Sequence, residues 1–84
     1  MAEQELSDGE VKDRIKAAFA PYRIEFEISD YGMVLKFTVC DDIRERSQSF
    51  TVLRSDLDFR EPALLDQSLQ QDRDELQRIG YEFN

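Results

Sequence analysis

Three groups of side chains lie close enough in the chain to suggest chemistry. Asp41, Asp42 and Glu45 fall within five residues, and hard cations such as Ca²⁺ or Mg²⁺ take oxygen ligands of this kind. Their spacing departs from the Asp-x-Asp-x-Asp-Gly order of a calcium loop, and Arg44 and Arg46 are interleaved with them. A solvated turn is the expectation, with no metal. Asp56, Asp58 and Glu61, read with Ser55 and Arg60, offer carboxylates for acid–base work, which needs one of the pair raised in pKa by burial. The same residues precede Pro62, where acids complement a helix dipole and cap free amides, so a helix start is the simpler reading. Cys40 stands beside Asp41 and Asp42, whose charge raises a thiol's pKa. A passive thiol on the outward or edge side of a strand is expected.

What is missing narrows function further. The 84 residues contain no histidine and a single cysteine. General acid–base catalysis near neutrality usually recruits His, thiolate nucleophiles need a basic partner, and structural zinc needs several Cys or His ligands. No catalytic residue and no cofactor is therefore assigned. Nineteen acidic residues against eleven Lys and Arg leave a net charge of −8, which opposes nucleic-acid backbones and anionic lipid. The densest basic group, Lys12, Arg14, Lys16 and Arg23, is interleaved with Asp8, Glu10, Asp13, Glu25 and Glu27 and reads as a solvated surface. The expected partner is a neutral or basic protein, or a second copy of the chain. No apolar run approaches membrane-spanning length, the first nine residues are acidic where a signal peptide is basic and then apolar, and a lone cysteine forms no internal disulfide. A cytoplasmic location is expected.

The elements that must hold these groups follow from periodicity. Residues 1–5 read as a disordered tail and residues 6–84 as one domain. Ser7 and Glu10 have the spacing of a capping box, flanked by Leu6 and Val11 as a hydrophobic staple. Val11, Ile15, Ala18 and Phe19 continue a helical stripe, so the first helix runs from Asp8 to Ala20 and stops at Pro21. The period then changes to two. Tyr22 to Ile28 forms a strand, Ser29-Asp30-Tyr31-Gly32 a turn, and Met33 to Cys40 a second strand with Met33, Leu35, Phe37 and Val39 inward. Ser47 to Arg54 makes a third strand with Phe50 and Val52 toward the core and Leu53 on the opposite face. Leu57 and Phe59 pin the following irregular segment. Pro62 begins the last helix, which carries Leu65, Leu69, Leu76 and Ile79, and Gly80 with Tyr81 has the pattern of a Schellman ending. Tyr81 and Phe83 are too apolar for a free tail. The fold class is α+β, αβββα: a three-stranded antiparallel meander with two helices packed on one face. The expected core is Val11, Ile15, Phe19, Ile24, Phe26, Leu35, Phe37, Val39, Phe50, Val52, Leu65, Leu69 and Leu76.

The run Phe19-Ala20-Pro21-Tyr22-Arg23-Ile24-Glu25-Phe26, opening into a hairpin and followed by Arg73-Asp74-Glu75-Leu76 on the last helix, resembles a family of short, functionally uncharacterised bacterial proteins common in pseudomonads. The resemblance spans roughly Val11 to Gln77. It implies a fold and a bacterial source, and no activity.

Two functions compete. The leading one is a non-catalytic protein-binding module, regulatory or accessory, that uses the acidic surface of the last helix at Asp72, Asp74 and Glu75 or the uncovered sheet face. Glu25, Glu27, Lys36, Thr38 and Thr51 mix there with Val34, Cys40 and Leu53, and an open face with two edges invites a homodimer. The alternative is an acidic inhibitor that imitates nucleic-acid phosphates and occupies the basic groove of a DNA- or RNA-handling protein. Asp72, Asp74 and Glu75, with Asp66 and Glu82, would supply its negative stripe.

Overall fold

The computed structural model describes residues 5–83. In chain order it has α1 (Asp8–Ala18), β1 (Arg23–Ser29), β2 (Val34–Asp41), β3 (Arg46–Leu53) and α2 (Pro62–Arg78). The strands form one antiparallel sheet in the order β1-β2-β3, with Phe26 opposite Phe37 and Phe37 opposite Phe50. The expected αβββα meander is the fold. Of the expected tail, residues 1–4 lie outside the described residues, and Glu5 makes an ion pair with Arg54. Asn84 also lies outside them.

Both helices are bounded by the chemistry their ends require. Ser7 Oγ accepts from the Glu10 amide at 3.2 Å while Glu10 Oε1 accepts from the Ser7 amide at 2.9 Å, closing the capping box. The Ser7 amide and then its hydroxyl hold the Glu10 carboxyl below its ordinary range. Leu6 and Val11, the staple, are both buried in the main cluster. Glu61 caps α2, its carboxylate accepting from the Leu64 amide at 2.8 Å, and Pro62 follows in the first turn. At the other end Gly80 takes φ +104, the Tyr81 amide reaches Leu76 O at 3.0 Å, and the Gly80 amide reaches Gln77 O at 3.2 Å. Those two bonds are the Schellman pair.

Several boundaries and burials differ from expectation. α1 ends at Ala18 with Phe19 as its cap, two residues before Ala20, because Phe19 leaves helical geometry to send its ring into the core. Each strand begins one residue away from its expected start: β1 and β2 start one later and β3 one earlier. Met33 consequently falls outside β2 in the hairpin turn and is 45% exposed rather than inward. Ile24, Phe26, Phe50 and Val52 point toward the core yet are only half-buried.

The layering explains that last result. At the backbone α1 lies against β1 and α2 lies against α1, while α2 reaches the sheet only through side chains. β2, in the middle, is the strand that is sealed: Leu35, Phe37 and Val39 are buried. Phe59 and Tyr81, from the irregular segments flanking α2, complete the core together with Phe19. Arg60 ties the β3–α2 segment to the start of α1, donating to Leu6 O at 3.0 Å and pairing with Asp8 at 2.7 Å. Its guanidinium also roofs Gly32, where an added Cβ would meet Nη2 at 3.0 Å and where φ is +84. The positive φ favours glycine in that turn, and any larger residue would also have to push the Arg60 guanidinium aside.

Candidate functional site

Because side chains alternate along each strand, one sheet face is committed to the helices and the other carries the expected surface. Glu25 and Glu27 of β1, Lys36 and Thr38 of β2, and Ser49 and Thr51 of β3 line a shallow outer groove of about 400 Å³, crossing the row formed by Phe26, Phe37 and Phe50. Thr38 and Ser49 hydroxyls are 2.9 Å apart across the β2–β3 ladder. The side chains that alternation turns into the groove are polar, over a floor that includes Phe26, Phe37 and Phe50. The outward apolar residues of this face are displaced to its ends, which the sequence alone did not suggest.

Val34 and Leu53 are directly opposite each other at one end, Val34 half-buried and Leu53 45% exposed. Cys40 is six positions along β2 from Val34, roughly 20 Å away at strand rise. The three residues do not form one patch. Cys40 is also buried rather than exposed, a correction to the expected outward thiol. Arg23, Glu25, Thr38 and Asp42 crowd around it. Burial pushes the thiol's pKa up, opposed by Arg23 and assisted by Glu25 and Asp42. The expected passivity rests mainly on desolvation, with the neighbouring carboxylates secondary.

The β2–β3 turn holds a second correction. Asp41, expected as a solvated turn residue, ends β2 and is 3% exposed on the helix side. Its Oδ2 accepts from Arg46 Nε at 3.0 Å and its Oδ1 from the Arg44 amide at 3.2 Å. Desolvation pushes its pKa upward, but those two bonds and the charges of Arg46 and Arg44 outweigh it and leave the carboxyl below its ordinary range. Arg46 continues across: it stacks on the Tyr81 ring at 4.1 Å and donates to Ile79 O at 3.2 Å and Gly80 O at 3.0 Å. One guanidinium therefore fastens the end of α2 to the sheet. Asp42 binds Arg23 through two bonds of 3.1 Å, and that contact lowers its pKa. With these oxygens committed to arginines, the turn is a structural clasp. Tyr81, inside it, has a buried hydroxyl without a hydrogen-bond partner among the described residues.

Three acids of α2 have separate local partners. Asp66 pairs with Arg14 at 2.7 Å, Asp74 accepts from Gln70 at 3.0 Å, and Glu75 pairs with Arg78 at 3.3 Å. Asp72 sits half-buried on the same stripe as Leu69 and Leu76, and burial pushes its carboxyl up to about 6. A carboxyl so placed is a weak imitation of a phosphate. The second carboxylate group is likewise used up locally: Asp58 accepts from Arg54 at 3.0 Å and from the Arg60 amide at 3.2 Å, and Glu61 caps α2.

Sequence reasoning placed Thr51 and Leu53 on the open face but did not separate the β3 edge from the β1 edge. At the backbone β3 lies against β2 alone among the described elements, with side-chain contacts beyond it from Arg46, Phe50 and Val52, and Ser47, Gln48, Ser49, Thr51 and Leu53 are all exposed. A signal was present, since Ser47–Leu53 is the one strand segment with no charged residue. Fold and surface together define a small αβββα meander domain with an open sheet face and unequal edges. No protein-family model matches the chain, and neither does any curated protein or solved structure, so no family, activity or partner comes to it by likeness. Among the described residues no helix is long and apolar enough to cross a membrane.

Proposed function

We propose that this chain is a small non-catalytic protein-binding module, regulatory or accessory, that works through the open side of its sheet. The observation that carries the reading is β3: an edge strand that no helix approaches at the backbone, uncharged from Ser47 to Leu53, with the outward backbone groups of Ser47, Ser49 and Thr51 unbonded among the described residues. Free strand edges are recognition surfaces unless charge, proline or a covering element blunts them, and from Ser47 to Leu53 there is no charge, no proline and no helix against the backbone. The adjoining groove of Glu25, Glu27, Lys36, Thr38, Ser49 and Thr51 would add side-chain selectivity to pairing through the main chain.

The rival reading, an acidic imitation of nucleic-acid phosphates, has less support, because Asp66, Asp74 and Glu75 are each engaged locally and Asp72 is half-buried. Affinity capture from the source cell separates the two. A bound protein should persist through added salt and be lost with Thr51→Pro, which removes one outward amide from the edge. Capture that is indifferent to Thr51→Pro and washes off with salt would overturn the module reading in favour of the acidic surface.

A further inference from the structure

The free edge of β3 has a definite phase. Arg54 N donates to Met33 O at 2.8 Å, and in an antiparallel ladder successive residues alternate between facing the neighbouring strand and facing away. Counting back from Arg54, the backbone groups of Val52, Phe50, Gln48 and Arg46 face β2. Those of Leu53, Thr51, Ser49 and Ser47 face outward, and all four residues are exposed.

Charge selects what fits there. A basic segment would favour the β1 side of the sheet, where Glu25 and Glu27 stand, and an acidic one is repelled by a chain of net charge −8. The edge suits an uncharged extended segment, and the uncharged strand run in this molecule is Ser47 to Leu53 of β3 itself. We propose that a second copy of the chain pairs with β3 edge to edge, antiparallel about a twofold axis at Phe50, joining two three-stranded sheets into one continuous sheet. This rests on the binding-module reading and names its partner.

The register follows from the phase. With Phe50 on the axis, Ser49 lies opposite the partner's Thr51 and Ser47 opposite the partner's Leu53. Four such pairs could close two backbone bonds each, but Leu53 O already accepts from the Asp56 and Leu57 amides at 2.9 and 3.0 Å, so about six of the eight meet no competition. The half-buried Phe50 ring, stacked on Phe37 at 5.1 Å, meets its own copy on the helix side. At the ends Arg46 comes opposite the partner's Arg54, and each already holds a carboxylate at 3.0 Å, Asp41 and Asp58 respectively. Ion pairs formed beforehand keep like charges from meeting bare. The interface belongs to the small, weak class, and the net charge of each copy opposes it, so added salt should tighten it.

Sedimentation equilibrium from roughly 1 to 500 µM, where an interface of this size is expected to titrate, combined with amide exchange on the same samples is the test. A monomer–dimer equilibrium that strengthens with salt is expected. In dilute solution Gln48, Phe50 and Val52 amides should be protected while Ser47, Ser49, Thr51 and Leu53 exchange fast; at high concentration all seven should be protected. Thr51→Pro should shift the equilibrium to monomer by tenfold or more while leaving exchange at Gln48 and Val52 unchanged, which shows that it still folds. In a Cys40→Ala background, Ser49→Cys chains mixed with Thr51→Cys chains should crosslink through a short thiol-reactive linker far better than either alone. A chain that stays monomeric throughout, a dimer whose outward amides remain fast, or equal crosslinking by each cysteine variant alone would overturn the proposal. Salt-resistant, Thr51-dependent capture of a different protein by a monomeric chain would leave the module reading standing while removing self-pairing.

Discussion

β1 and β3 flank β2 with nearly equal ladders, seven paired residues against eight, yet they are protected in opposite ways. β1 carries Arg23, Glu25 and Glu27 on its outer face and has α1 against it. β3 has neither charge between Ser47 and Leu53 nor a covering helix. Charge at a sheet edge discourages pairing with other chains, because a partner strand would have to desolvate it. The difference is what directs the proposed pairing to β3 rather than β1, and it does so independently of any motif.

The largest expected effect removes what the two edges share. Phe37 is 2% exposed, lies opposite both Phe26 and Phe50, and touches the Phe19 ring at 5.6 Å. Phe37→Ala should cost about 3 to 5 kcal/mol in chemical denaturation and weaken both ladders together. A midpoint equal to wild type would mean that the central row does not hold the sheet to the helices.

Matched truncations of the two edges come next. Phe26 and Phe50 occupy the same row and are both half-buried, but Phe50 stacks on Phe37 with a 25° interplanar angle, while Phe26 has no ring partner among the described residues. Phe26→Ala should cost about 1.5 to 2.5 kcal/mol, about half the cost at a sealed site, and Phe50→Ala about 1 kcal/mol more for the lost ring pair. Equal costs measured at low concentration would erase the asymmetry inside the monomer. An excess for Phe50→Ala that grows with concentration would place it in the contact between copies.

Much of this architecture was legible in the sequence, and the parts that were not share a cause. The capping box, the staple, the Pro62 start and the Gly80-Tyr81 ending involve residues within a few positions of one another, and each formed as its spacing required. Inward and outward alternation also held for β1 and β2. Burial depth was not legible, because Phe50 and Val52 alternate correctly but lie on a strand that neither helix covers. Cys40 and Asp41 were misjudged for a related reason: their cover comes from Arg23 and Arg46, distant in sequence, and polarity in a turn gives no hint that an arginine will fold over it. On the open face the polar residues lie where alternation placed them, whereas Val34 and Leu53 sit together at one end and Cys40 is buried at the other.

A smaller perturbation asks whether α1 supports one edge selectively. Ser7→Ala removes the hydroxyl that caps α1 and should cost about 1 kcal/mol. Since α1 lies on β1 and does not approach β3 at the backbone, amide exchange should accelerate in β1 more than in β3. Uniform acceleration would indicate that the domain opens only as a whole.

The smallest effect at neutral pH should come from Asp72, and its sign is the informative part. Its carboxyl is pushed from 3.8 up to about 6 by burial. The folded chain therefore holds a proton there that the unfolded chain releases near pH 4. Between about pH 4 and 6 the folded state binds more protons than the unfolded state, so this group makes stability fall as pH rises through that window. Asp41, Asp42 and Glu10, whose carboxyls are lowered, act in the opposite direction and withdraw stability as pH falls through the acid range. Wild-type stability should peak on the acid side of neutrality. Asp72→Asn should remove the decline between pH 4 and 6, leave the acid limb unchanged, and make the variant slightly more stable than wild type at pH 7. Since neither helix approaches β3 at the backbone, the gain should leave dimerisation through β3 unaltered. Denaturant midpoints across pH, with sedimentation at pH 7, check both statements, and an unchanged pH profile would mean that Asp72 is solvated as fully as its neighbours Asp74 and Glu75.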